Sequence, residues 1–175
     1  LDAMYYCADE NNVEESVRNS ENYKLIKGNL QDFDLIKKSY NYGFNAHKGQ
    51  YRASGEIYFT HPVQVAKIVI DLKLDESTIK TALLHDTVED TDATHEEIAR
   101  FFGDKVSELV KGLTDVSKPE DGNRATRKAI DRDHIAKGSK EVQTIKVFDL
   151  IHNTESIREH DPKFWEVYKL EKQDL

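Results

Sequence analysis

The sequence predicts an all-α protein of about eight helices. Three observations carry that prediction. From Asp32 onward apolar residues return at three- and four-residue steps, the period of a helix with one buried face. Ser, Thr, Asp and Asn stand at the starts of these stretches and Gly or Pro at several boundaries, as helix caps require. Nothing in between reads as a strand, and no internal repeat is present.

The elements follow in order. Residues 1–30 are polar and weakly patterned and read as an N-terminal appendage, with Tyr5, Tyr6 and Tyr23 available to dock on the body. The remainder, 31–175, reads as one domain. Phe33, Ile36, Tyr40, Phe44 and His47 mark the first helix. Gly49 to Phe59 is a loop carrying Arg52, Ser54, Gly55 and Glu56. Thr60 is expected to cap a second helix that holds His61, with Pro62 in the first turn, where its missing N–H costs nothing. Val65, Ile68, Val69 and Leu72 give this helix its apolar face. Asp75 caps the next one, lined by Ile79, Ala82, Leu83 and His85. Thr94-His95-Glu96-Glu97 is a capping box, and Gly103 closes the short helix it opens.

Asp104 to about Thr114 forms another amphipathic piece through Val106, Leu109, Val110 and Leu113. After a polar loop with Pro119 and Gly122, Asn123 or Arg124 opens a helix that Gly138 stops. Ser139 caps a further helix containing Val142, Ile145, Phe148, Leu150 and Ile151. Asp161-Pro162 starts the last, with Trp165, Tyr168 and Leu170.

Bulk composition narrows the function. The chain has 175 residues, 33% charged and 38% hydrophobic, which suits one core with a polar surface. A formal charge of −8 argues against nucleic acid as the main partner. No apolar run approaches the roughly 20 residues that span a bilayer, so no membrane partner is expected. Leu1 to Glu10 show neither a basic flank nor an apolar stretch, so no signal peptide is expected and the location reads as cytoplasmic. A single cysteine, Cys7, excludes an intramolecular disulfide and any multi-cysteine zinc site. An anionic ligand would need local positive charge, from a cation or from placed Arg and Lys.

The chemistry concentrates in Ala82-Leu83-Leu84-His85-Asp86-Thr87-Val88-Glu89-Asp90, where a hydrophobic turn runs straight into four ionisable groups. Charged groups are rarely buried unless paired or bound to metal. Continued as a helix, His85 shares a face with Glu89 and Asp86 with Asp90, so all four border one cleft. Two other His/Asp pairs, Asp133-His134 and His160-Asp161, lie in polar surroundings, and Asp161 is explained by capping. For His85 the competing reading is a hydrogen-bonded core histidine, and for Glu89 and Asp90 a solvated helix end.

His61 and Asp149 shift that balance. Asp149 is a lone carboxylate in the apolar run Ile145 to Ile151, and such a group needs a partner. A divalent cation held by His61, His85, Asp86 and Asp149 supplies one. Two imidazoles with carboxylates suit Mn²⁺ or Fe²⁺, with Zn²⁺ compatible and Mg²⁺ less so, because it prefers all-oxygen shells.

Arg52-Ala53-Ser54-Gly55-Glu56-Ile57-Tyr58-Phe59-Thr60-His61-Pro62, then Ala82 to Asp90, then Phe101 to Thr114, resemble the hydrolase domain of the Rel/SpoT enzymes, which break down the alarmone (p)ppGpp. They also resemble the small stand-alone alarmone hydrolases. The likeness runs from about Phe33 to at least Ile157, and from Gly112 onward it is closer to the stand-alone proteins. It implies an all-helical HD-domain bundle and a guanosine-3′,5′-bis(diphosphate) 3′-pyrophosphohydrolase that uses Mn²⁺ to release pyrophosphate. It implies His61, His85, Asp86 and Asp149 as metal ligands, and Glu89 with Asp90 as the pair acting on the attacking water. Arg52, Ser54 and Asn153 are implied as nucleotide contacts.

Asn153, four residues beyond Asp149, faces the same cleft, and Lys146, three residues before it, is expected to reach the cleft mouth as a substrate-binding residue. The Arg124, Arg127 and Lys128 cluster reads first as a solvated helix face and second as a charge offset for substrate. Ala53, Ile57 and Leu150 depart from the usual Rel/SpoT pattern, which alters the substrate grip and leaves the metal ligands intact. Three alternatives stay open: an HD phosphohydrolase of another nucleotide or small phosphorylated compound, a catalytically inactive HD nucleotide sensor, and a plain helical interaction module.

Overall fold

A computed structural model describes residues 30–172. The appendage expected over 1–30, apart from Leu30 itself, lies outside the described residues, and with it Cys7, Tyr5, Tyr6 and Tyr23. Nine α-helical segments are seen among the described residues: α1 (Leu30–Ala46), α2 (Thr60–Asp71), α3 (Glu76–Leu84), α4 (Thr87–Asp90), α5 (His95–Phe102), α6 (Asp104–Leu113), α7 (Arg124–Ala136), α8 (Lys140–His160) and α9 (Pro162–Glu171). α4 is a single turn, and a 3₁₀ turn at Pro119–Asp121 precedes α7. The protein is all-α. Among the described residues the only extended pairing is an isolated antiparallel bridge, Tyr51 to Ile57, which closes the loop between α1 and α2. No helix there is long and apolar enough to cross a membrane.

Local chemistry sets most of the helix starts. Side-chain oxygens of Asp75, Thr94, Asn123, Ser139 and Asp161 accept from the backbone N–H three residues on, satisfying a donor that has no intrahelical partner. Thr94 and Glu97 complete the expected capping box, and Gly103 ends α5 at φ 92°, a conformation that costs glycine little. Thr60 does not cap α2. It is already inside the helix and its hydroxyl donates to the Ile57 carbonyl, while Phe59 holds the cap position without a side-chain bond.

α3 is the hub of the bundle, packing against α1, α2, α6 and α8, while α2 lies between α3 and α8. The core joins Val65, Ala66 and Val69 of α2 to Leu83 and Leu84 of α3, Ile98 of α5, Val110 of α6 and Ile145 of α8. Burying each of the Val, Leu and Ile side chains contributes roughly 1.5–3 kcal/mol. Leu72, Ile151 and Leu170, expected on apolar faces, are exposed instead. Leu72 is the residue that ends α2, past the last turn in contact with the core.

α1 approaches α3 closely at Gly43. A Cβ there would stand 2.9 Å from the Leu83 carbonyl oxygen and collide with the Phe59 ring. That approach brings the Phe59–Thr60 end of the loop, and so His61, against the end of α3.

Candidate metal centre and cleft

Two helices and the bend that follows a third supply the centre. His61 lies in the first turn of α2, His85 and Asp86 follow the last residue of α3, and Asp149 sits midway along α8. The expected unbroken helix through Asp90 is not formed. α3 stops at Leu84, His85 and Asp86 make a bend, and α4 resumes with Asp90 N–H donating to the Asp86 carbonyl at 2.9 Å. The bend leaves His85 2% exposed while Asp86 opens toward the cleft at 18% side-chain exposure.

His61, His85 and Asp86 each present a ligand atom within 4.8 Å of the others. His85 Nε2 is 3.1 Å from Asp86 Oδ1, and His61 Nε2 is 3.6 Å from Asp86 Oδ2. Asp149 Oδ1 is 3.0 Å from His61 Nε2 and 3.9 Å from His85 Nε2. Among the described residues neither buried Nε2 completes a hydrogen bond. Two orphaned imidazole nitrogens aimed at carboxylates are the donor set a divalent cation needs, so the residues present fit one.

The other ring nitrogens are engaged. His85 Nδ1 is 2.9 Å from the Ala82 carbonyl oxygen, and His61 Nδ1 is 2.8 Å from His152 Nδ1. On Asp149, Lys146 Nζ sits 2.9 Å from Oδ2, and the Asn153 amide donates to Oδ1 at 2.5 Å. Lys146 is therefore turned to Asp149 rather than projecting freely from the cleft mouth. Arg52 donates to Asn153 Oδ1 at 2.9 Å, tying the α1–α2 loop to α8. Ser54, in the same loop, donates to Glu56.

Charges reflect this packing. Burial raises Asp149, but Lys146 and the two imidazoles outweigh it and hold its carboxyl well below the usual range. Burial depresses His61. Burial also works against a charged His85, yet Asp86 and Asp149 prevail and push it up to about 9.

Glu89 and Asp90 form the open rim. Removal of solvent by the surrounding protein, then the Asp115 carboxylate, push Glu89 up to about 7, while the Asp115 N–H donates to it at 3.2 Å. Asp90 is also raised, first by desolvation and then by Asp86. The Tyr58 hydroxyl lies 2.9 Å from Asp86 Oδ2 and 2.7 Å from Asp90 Oδ2, bridging the candidate centre and its rim. Gln50 donates to the Asp90 carbonyl at 2.8 Å, and Gln50, Tyr51, Tyr58 and Asp90 line a recess of about 360 Å³ beside it.

The structure thus gathers His61, His85, Asp86 and Asp149, sets Glu89 and Asp90 on the rim, and links Arg52 to Asn153. The basic cluster at the start of α7 is largely spent on surface pairs: Arg124 with Glu171 and Lys128 with Asp115. Sequence reasoning missed His152, whose three-residue spacing from Asp149 was the available signal, and the bridging role of Tyr58. It also missed Asp131, buried and accepting from the Val116 and Ser117 amides. A carboxylate in a polar helix gives no such signal.

The family model described as HD domain matches residues 39–175. A GTP pyrophosphokinase rsh of Brucella melitensis is 41% identical over 129 residues, 70% of this chain and 17% of the relative. A GTP pyrophosphokinase of Myxococcus xanthus is 55% identical over 87 residues, 50% of this chain and 12% of the relative. The bifunctional (p)ppGpp synthase/hydrolase SpoT of Escherichia coli is 47% identical over 83 residues, 47% of this chain and 12% of the relative. The chain therefore spans less than a fifth of the length of these curated relatives. A solved structure described as a metazoan ortholog of SpoT that hydrolyzes ppGpp superposes with a TM-score of 0.66 at 30% identity, covering 75% of this chain and 74% of that one. With a family match over residues 39–175, and with its paired histidines and aspartates drawn together from α2, from the bend after α3 and from α8, the chain belongs to the HD-domain family and is related to the Rel/SpoT enzymes.

Proposed function

We propose that this chain is a divalent-metal-dependent phosphohydrolase that releases pyrophosphate from the ribose 3′ position of (p)ppGpp, with Mn²⁺ as its ion. The observation that carries the reading is the pair of buried Nε2 atoms of His61 and His85, neither completing a hydrogen bond, that face Asp149 at 3.0 Å and Asp86 at 3.1 Å. The likeness to a structure described as hydrolyzing ppGpp supports the choice of substrate.

In this reading His61, His85, Asp86 and Asp149 hold the cation. Once bound, the ion polarises a phosphoryl oxygen and eases deprotonation of water. Glu89, held near neutrality by its surroundings, takes the proton from the attacking water, and Asp90 orients that water from the rim. Water adds to the phosphorus on the ribose 3′ oxygen, the bond between them breaks, pyrophosphate departs and the 3′ oxygen gains a proton. Arg52 and Asn153 turn from each other to the substrate's phosphates, and Ser54 contributes from the same loop. Lys146 acts through Asp149, keeping it ionised. A cytoplasmic location goes with a nucleotide substrate of this kind.

The test is incubation with Mn²⁺ and a panel of guanosine polyphosphates, dinucleotides and monophosphates. Consumption of ppGpp first, yielding GDP and pyrophosphate, is expected. Faster loss of a monophosphate would replace the substrate, and tight binding of ppGpp without turnover would make the chain a sensor.

A further inference from the structure

The Nδ1 atoms of His61 and His152 face each other at 2.8 Å with ring centroids 4.9 Å apart. A neutral imidazole carries one N–H and one lone pair, so two nitrogens this close share a single proton: one donates and the other accepts. The identity of the donor decides what His61 can do at its far side. If His152 donates, the His61 proton sits on Nε2, in the place where a cation has to be. If His61 donates, its Nε2 lone pair is free and directed at Asp86 and Asp149.

His85 offers a contrast within the same centre. Its Nδ1 faces the Ala82 carbonyl oxygen, which can only accept, so its tautomer is fixed by the backbone of α3. His61 has no such carbonyl at Nδ1. α2 has only just begun there, and its neighbour is a side chain from α8, three residues past Asp149. α8 thus delivers both a carboxylate to one edge of the His61 ring and an imidazole to the other. Partners of this kind orient ligating histidines and strengthen their donor atoms.

We infer that His152 is a positioning residue of the centre: its Nδ1 accepts the His61 Nδ1–H and so holds His61 in the tautomer that presents Nε2 to the cation. The inference rests on the reading of His61 as a metal ligand. It adds that the two helices are matched through the His61–His152 contact as well as through Asp149, and that His152 touches neither the ion nor the substrate.

The experiment is Mn²⁺ titration by calorimetry of the full chain, with circular dichroism to confirm folding, for the unaltered protein and for His152→Leu, His152→Asn and His61→Ala. His152→Leu removes the acceptor and is expected to weaken Mn²⁺ about 10–100-fold. His152→Asn places an amide oxygen at the Nδ1 position and is expected to restore affinity to within a few-fold. Wild-type affinity in His152→Leu, with binding lost in His61→Ala, overturns the role of His152 alone. Absence of Mn²⁺ binding in the unaltered protein, or full binding by His61→Ala, overturns the metal reading and the inference together. Should His152→Leu not fold, nitrogen-15 histidine spectra of the unaltered protein loaded with diamagnetic Zn²⁺ decide the matter. Protons on His61 Nδ1 and His152 Nε2 support the assignment, and a proton on His152 Nδ1 overturns it.

Discussion

Lys146 and Asp149 stand one turn apart on α8, with the ammonium 2.9 Å from Oδ2 while Oδ1 faces His61 Nε2 at 3.0 Å. The carboxylate is shared between a cation from its own helix and an imidazole from α2. Lys146→Ala leaves Asp149 buried without its main counter-charge, so the metal-free protein is expected to lose about 3 kcal/mol. Mn²⁺ binds only the folded chain in this scheme and stabilises either protein by about 2.7 kcal/mol at a hundred times its Kd. Because the cation also neutralises Asp149, the variant should bind it more tightly than the parent, and at one Mn²⁺ concentration the loss should shrink. Urea denaturation with and without Mn²⁺ measures both, and equal losses in the two conditions would disconnect Lys146 from the metal centre.

Asp86 and Glu89 are separable by what they touch. Asp86 faces both imidazoles from a partly open position, so Asp86→Ala should abolish Mn²⁺ retention and turnover while the metal-free chain stays folded. Glu89 contacts the Asp115 amide. Glu89→Gln is expected to keep the metal and lose about 10²–10⁴-fold in turnover. Metal analysis beside a ppGpp assay checks the pair, and a fully active Glu89→Gln protein removes that residue from the base role.

Metal binding should depend on pH through His85. Its imidazole is pushed up to about 9 despite burial because Asp86 and Asp149 surround it, so at neutral pH the metal-free chain holds a proton where the cation binds. Mn²⁺ must displace that proton, and apparent affinity is expected to rise about tenfold per pH unit through neutrality and level off near pH 9. Stability of the metal-free chain runs the other way. The raised value in the folded state stabilises fully below the unfolded value of 6.5 and is lost as pH climbs through about 9. Calorimetric titrations at several pH values, in buffers of different ionisation enthalpy, give the proton count, and a pH-independent affinity would falsify this linkage.

Gly43 carries no chemistry, yet it sets the distance between α1 and α3. A methyl group there meets the Leu83 carbonyl and the Phe59 ring, and the carbonyl cannot move without disturbing α3. Gly43→Ala should cost roughly 1–3 kcal/mol and loosen the turn that carries His61. Thermal melting checks the first and Mn²⁺ affinity the second. A variant as stable as the parent would show that α1 shifts freely.

Much of this was legible in the residues themselves. Helix starts at Asp75, Thr94, Asn123, Ser139 and Asp161 are short-range events, decided by a side-chain oxygen and an amide three residues away. Asp149 was legible as a buried carboxylate because its neighbours Ile145 and Phe148 declare the core. Thr60 was misread because it has the right chemistry for a cap, but its hydroxyl found the Ile57 carbonyl of the preceding loop instead.

The sequence by itself determined the all-α class, most helix boundaries and the set of ionisable side chains available for a metal, since periodicity, capping and the cost of a buried charge are local properties. Only the tertiary structure decided that α3 breaks at His85-Asp86, that Lys146 turns to Asp149, and that His152 meets His61 across 91 positions of chain. The His61–His152 contact joins separate helices and is fixed by how α2 and α8 pack, while the Lys146–Asp149 pair lies within α8 and the break lies at the end of α3, both shaped by what packs against those helices; packing of that kind is not written in any one helix's pattern.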